Sequence, residues 1–283
     1  MRPFTQVNVF SADPLGGNPV AVVHDAEGLT DQEMQRFAHW TNLSETTFLL
    51  PPTAPEADYR VRIFTPAEEL PFAGHPTLGS AHAWLAGGGV PREEGAVVQE
   101  CGAGLVRLRR GERLAFAAPP LVREGPVAPA DVERICRGLR VGRDEVVDIA
   151  WADNGPGWIG VLLADADAVL ALRPSWPDLV GFEVGVVGAY ADEAAARVGA
   201  AVEVRAFCPS LGVVEDPVTG SLNASLAQWL IGSGRLPSSY VASQGTALGR
   251  NGRVFVDQDG GEIWVGGDTV TVVSGTVEVG ARA

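Results

Sequence analysis

The chain has 283 residues, 46% of them hydrophobic, and a formal net charge of −14 with a pI near 4.7. A field of that sign repels phosphate backbones and anionic lipid surfaces, so neither nucleic acid nor a membrane is an expected partner. All 21 basic residues are arginine, which excludes a lysine Schiff base, a pyridoxal-phosphate aldimine and a phosphate-binding P-loop lysine.

Met1-Arg2-Pro3-Phe4 leads straight into alternating, strand-like sequence rather than a basic and then apolar leader, which predicts an unprocessed cytoplasmic protein. Short stretches rich in β-branched residues follow in order and predict strands: Gln6 to Phe10, Val20 to Val23, Thr46 to Leu50, Tyr59 to Phe64, Leu105 to Arg109, Val202 to Phe207, Arg253 to Val256 and Val270 to Val273. Helices are expected from Thr30-Asp31 through Trp40, over 76–86, 131–140 and 190–199, and over 222–231. The segments 76–86 and 222–231 carry Ala, Leu and Trp on most faces and end in glycines, so each must be buried, with a sheet wrapped around it. Arg107, Arg109, Arg110 and Arg113 alternate with apolar residues and read as a solvated strand face.

The chain repeats itself once. Val61-Arg62-Ile63-Phe64-Thr65-Pro66 returns as Val204-Arg205-Ala206-Phe207-Cys208-Pro209, Pro71-Phe72-Ala73-Gly74-His75 as Pro217-Val218-Thr219-Gly220-Ser221, and Cys101-Gly102-Ala103 as Gln244-Gly245-Thr246. Three blocks recurring in one order predict two similar α+β lobes, 1–118 (completed by a strand from about 271–283) and 119–270. The proline-rich stretch from Ala118 to Ala130 reads as a linker or as an ordinary surface loop.

Chemistry concentrates at the two helix starts, Gly74-His75-Pro76 and Gly220-Ser221-Leu222. Proline favours the first helical position, which predicts His75 as an N-cap and Ser221 as its counterpart. Free N–H groups and the positive dipole end there suit a carboxylate or a developing oxyanion. Ser221 reads equally well as a structural cap and Asp216 as an acidic turn residue before Pro217, whereas histidine is a mediocre cap. Cys101, Cys136 and Cys208 are scattered and unpaired in pattern, as are His24, His39, His75 and His82, so neither a disulfide nor a metal site is expected. The seven tryptophans read as core or pocket.

Gln6-Val7-Asn8-Val9-Phe10, Gly17-Asn18-Pro19-Val20-Ala21-Val22, Asn42-Leu43-Ser44-Glu45-Thr46, Phe64-Thr65-Pro66, Gly74-His75-Pro76-Thr77, Glu215-Asp216-Pro217-Val218-Thr219-Gly220-Ser221 and Ser243-Gln244-Gly245 resemble, in this order, the sequences of phenazine-biosynthesis PhzF-type isomerases. The resemblance implies the diaminopimelate epimerase-like fold, two α+β lobes with the site in the cleft, and a homodimer. It implies Glu45 as the proton-transferring base and acid, with His75, Asp216, Ser221 and the backbone at Gly74 and Gly220 arranging a small carboxylate substrate; Asn18, in the opening motif, joins the expected substrate-binding set. The best-known family reaction, isomerisation of trans-2,3-dihydro-3-hydroxyanthranilate, needs no cofactor, and none is expected. Epimerisation or isomerisation of another small amino or hydroxy acid, and carboxylate binding without catalysis, are the alternatives.

Two departures matter. The epimerase relatives use a cysteine near each helix start, yet Pro71 to His75 and Asp216 to Ser221 contain none, which disfavours two-thiol racemisation. Gly249-Arg250-Asn251 lacks the proline expected after arginine, a change that bears on substrate detail.

Overall fold

The computed structural model describes residues 1–211 and 213–280. The chain forms two compact units, Met1–Ala117 with the stretch from Gly266 onward, and Ala118–Val265. Of the C-terminal completion expected over 271–283, residues 281–283 lie outside the described residues.

In the first unit, strand Arg2–Val9 is flanked by antiparallel neighbours, Thr269–Val277 and Asn18–Val23. Asn18–Val23 runs parallel to Glu45–Leu50, which pairs antiparallel with Tyr59–Phe64. Tyr59–Phe64 pairs at one end with the short return strand Glu69–Leu70 and at the other, in parallel, with Ala96–Cys101. Gly104–Arg110 and Leu114–Ala117 continue antiparallel. Helix α1 (Asp31–Thr41) lies over one side, closed by a Thr30–Glu33 capping box, and buries Met34 and Ala38 with Phe48, Leu50 and Phe64. Helix α2 (Gly74–Ala86) packs against strands from across this sheet. Its residues Gly74 to Ala81 are all buried, the all-round burial that its apolar composition demands.

The second unit repeats this plan. Val146–Asp153 pairs antiparallel with Arg123–Pro126 and with Trp158–Leu163, and the latter runs parallel to Glu183–Ala189. Val202–Cys208 follows antiparallel, carrying the short return strand Val213–Asp216 and, in parallel, Ser239–Gln244, which is followed by Gly252–Asp259. Helices α3 (Pro129–Leu139), α4 (Ala166–Ala171) and α5 (Trp176–Leu179) enclose a core with Ile149, Ile159, Val184 and Phe207, and α6 (Asp192–Val198) links two strands. Helix α7 (Gly220–Gly232) has the same length as α2, 13 residues. The proline-rich segment is more than a linker: Arg123–Pro126 is a paired strand and Pro129 opens α3, since an edge strand and a first helical turn both tolerate proline.

Repeat-aligned arginines do the same work in both units. Arg62 binds Glu69 from Nε at 2.7 Å, and Arg205 binds Glu215 from Nε at 2.9 Å and from Nη2 at 2.8 Å. Each guanidinium thus ties the return strand that leads to the central helix.

Glu203 is fully buried on strand Val202–Cys208 and accepts a 2.6 Å hydrogen bond from the Tyr190 hydroxyl. Burial pushes its carboxyl above the ordinary range, opposed by Tyr190, Ser243, Thr246 and Arg253. The folded state therefore holds a proton that the unfolded chain releases first, so stability falls as pH rises from the unfolded carboxylate value towards the folded one. Glu203→Gln, which keeps the acceptor for Tyr190, should flatten that decline in a melting-temperature series from pH 4 to 9; parallel curves for the two proteins would refute it.

Candidate active site

Glu45 opens its strand and His75 is the second residue of α2. His75 Nε2 lies 3.3 Å from Glu45 Oε2, with side chains 5% and 16% exposed, and Asn18 Nδ2 lies 3.4 Å from His75 Nδ1. Burial pushes the His75 pKa down to about 3, against a hydrogen bond to the Pro19 backbone that raises it. Its ring is neutral at physiological pH, so the approach to Glu45 is a close contact of imidazole and carboxyl rather than an ion pair. Asn18 is held in turn by its neighbour: a Cβ on Gly17 would stand 2.0 Å from the Val9 carbonyl oxygen, and the Gly17 N–H donates to Asn8 Oδ1 at 2.9 Å.

In the second unit, Asp216 ends the return strand, opposite Ala206. Its Oδ2 accepts from the Thr219 hydroxyl at 2.6 Å. Gln244 Oε1 accepts from the Thr219 N–H at 3.0 Å and from Asn223 Nδ2 at 2.8 Å. Gln244 Nε2 donates to Thr219 Oγ1 at 2.9 Å and to the Asp216 carbonyl at 3.2 Å. This network clamps Asp216 to the start of α7. Ser221 Oγ accepts from the Trp158 indole N–H at 3.2 Å.

The expected N-caps are corrected. Ala73 and Thr219 occupy those positions, both extended and neither with a side-chain cap, so His75 and Ser221 lie one position inside their helices' first residues. The reason is tertiary: the His75 ring is drawn to Glu45 and Asn18, and the Ser221 hydroxyl to Trp158. The helical ladders begin with Thr77 N–H to Ala73 O and Asn223 N–H to Thr219 O, which leaves the N–H groups of Gly74, His75, Gly220, Ser221 and Leu222 outside them. Those are anion-binding groups by position.

The structure thus gathers Glu45, His75, Asn18 and Gly74 in the first unit, and Asp216, Gly220 and Ser221 in the second. Sequence reasoning missed Trp158, Thr219, Asn223 and Gln244. Gln244 carried a signal, since it sits in a motif already singled out and in the third block of the repeat. The Trp158 contact carried none, because it arises only when two distant segments pack. Among the described residues, no three or more His, Cys, Asp or Glu side chains group to hold a metal ion, Cys101, Cys136 and Cys208 form no disulfide, and no helix is long and apolar enough to cross a membrane.

The family model for phenazine biosynthesis-like proteins, PhzC-PhzF, matches residues 7–275. The chain belongs to the PhzF family. A Schizosaccharomyces pombe relative, antisense-enhancing sequence 1, is 37% identical, covering 96% of this chain and 97% of its own. A trans-2,3-dihydro-3-hydroxyanthranilate isomerase from Pseudomonas fluorescens is 33% identical, covering 98% and 99%. The crystal structure of a Bacillus anthracis phenazine biosynthesis protein of the PhzF family superposes with a TM-score of 0.82 at 22% identity, covering 98% and 99%. The α+β, diaminopimelate epimerase-like architecture of the PhzF family is therefore that of this chain, each unit a sheet around one central helix.

Proposed function

We propose that this PhzF-family protein is an isomerase that moves a proton within a small cyclic amino or hydroxy carboxylate, such as trans-2,3-dihydro-3-hydroxyanthranilate. The observation that carries this reading is Glu45 beside a buried, neutral His75 at the start of α2. Glu45 as carboxylate takes a proton from one substrate carbon; the electron pair left behind shifts the double bond, and the same carboxyl returns the proton at another carbon. No oxidant or reductant is consumed. His75 and Asn18 orient Glu45, while Asp216, Ser221 and the backbone at Gly74 and Gly220 hold the polar groups of the substrate. We place the protein in the cytoplasm as a homodimer.

A substrate deuterated at the abstracted position and turned over in ordinary water tests the path of the proton. Deuterium at the new carbon of early product, read by mass spectrometry, is the expected result, since a shielded carboxyl exchanges slowly with solvent. Inversion at a single carbon with no double-bond movement would instead make the protein an epimerase. Activity is also expected to survive exhaustive chelation and dialysis; loss of turnover with rescue by one metal would defeat the cofactor-free reading.

A further inference from the structure

The strand register gives the second unit a counterpart of Glu45. Glu45 pairs in parallel with Val20, and the next residue, Thr46, faces Phe64. Glu183 pairs in parallel with Trp158, and the next residue, Val184, faces Phe207. Phe64 and Phe207 are aligned by the internal repeat, so Glu45 and Glu183 occupy one position of the shared plan, each the first residue of its strand.

Both carboxyls lie on the face turned to the central helix. Alternate residues of a strand share a face, as do residues paired across a ladder. Two residues beyond Glu45, Thr47 accepts a hydrogen bond from Ser80 of α2 at 2.9 Å. Two residues beyond Glu183, Gly185 abuts the first turn of α7, where a Cβ would meet Leu222 Cδ1 at 2.1 Å. Trp158, beside Glu183 on the same face, donates its indole N–H to Ser221 Oγ. Glu183 is therefore directed at the start of α7.

Glu183 is 7% exposed and its Oε2 is buried without a hydrogen-bond partner. Burial raises its pKa, against the lowering effects of the Ser210 hydroxyl and the Cys208 thiol, so it holds its proton to higher pH than an ordinary glutamate. A buried carboxyl oxygen with no hydrogen-bond partner is costly, and a ligand N–H or O–H removes that cost.

We propose that Glu183 is a substrate-binding residue of the second unit, its Oε2 accepting a hydrogen bond from the amino or hydroxyl group of a ligand whose carboxylate is held at the start of α7 by the Gly220, Ser221 and Leu222 N–H groups. The choice of a carboxylate rests on the isomerase reading. The competing role is structural: Ser210 also accepts from the Gly181 N–H at 2.9 Å, so Glu183 would only staple this turn.

Calorimetric titration with anthranilate, together with melting temperatures, separates the two for wild type, Glu183→Gln and Glu183→Met. Methionine fills the volume without a polar end, and the glutamine amide keeps an acceptor oxygen. Glu183→Met is expected to melt at or above wild type and to bind anthranilate at least about tenfold more weakly, with Glu183→Gln within about threefold of wild type. Wild-type affinity in Glu183→Met would overturn the proposal, as would a lowered melting temperature with unchanged affinity, or no binding of anthranilate by wild type. Failure of the isomerase reading shows separately, as absent turnover of trans-2,3-dihydro-3-hydroxyanthranilate while anthranilate still binds.

Discussion

Glu45→Gln is expected to fold and bind ligand much as the wild type does while turning over at least about a hundredfold more slowly, the lower end for loss of a general acid/base. Glutamine keeps the shape of the side chain and its place beside His75 Nε2, 3.3 Å away in the wild type, but it cannot carry the proton. KM should therefore move by no more than a few-fold while kcat collapses, the signature of an interaction used in the chemical step. Because the His75 pKa is pushed down to about 3, wild-type kcat/KM should show no step from His75 between pH 5 and 9. Near-wild-type turnover of trans-2,3-dihydro-3-hydroxyanthranilate by Glu45→Gln would remove Glu45 from the mechanism.

Breaking the Arg205–Glu215 pair should have the largest effect on stability. The two side chains are 5% and 7% exposed, the contact is bidentate, and Arg205 Nη1 also donates to the Val169 and Leu172 carbonyls at 3.2 and 2.9 Å. Glu215→Ala leaves the guanidinium buried without its counter-charge, a cost of about 3–5 kcal/mol against a typical total of roughly 5–15 kcal/mol. Urea titration of Glu215→Ala should show that loss. The double replacement Arg205→Met with Glu215→Leu should recover most of it, because two apolar side chains leave no charge stranded. Since Glu215 immediately precedes Asp216 on the return strand, Glu215→Ala should also weaken ligand binding. A urea midpoint within error of wild type would show that the pair contributes nothing.

The exposed counterpart makes the contrast testable within one molecule. Arg62 and Glu69 occupy the same place in the first unit at 23% and 41% exposure, where solvent screens an ion pair to a contribution of about 0–1 kcal/mol. One motif, used twice, should thus differ severalfold in worth through burial alone.

The sequence by itself determined what depends on residue type and on order along the chain. Absence of lysine removed whole cofactor chemistries, alternation of β-branched residues located strands such as Tyr59–Phe64 and Val202–Cys208, and all-round apolar composition marked α2 and α7 as buried. The repeated blocks announced two units of one plan, and ordered motifs pointed to Glu45, His75, Asp216 and Ser221.

Tertiary structure decided what depends on packing. Strand Glu183–Ala189 was illegible because its sequence, EVGVVGA, puts two glycines and a glutamate in a short run, and only burial on both faces makes it a strand. The same packing turned His75 and Ser221 from caps into partners of Glu45 and Trp158, since a cap is a local bond that a buried contact can outbid. The likeness of Glu183 to Glu45 exists in no motif. Asn42-Leu43-Ser44-Glu45-Thr46 and Val180-Gly181-Phe182-Glu183-Val184 share only the glutamate, and the ladder register alone, which is set by hydrogen bonds between segments far apart in the chain, puts the two carboxyls in one place.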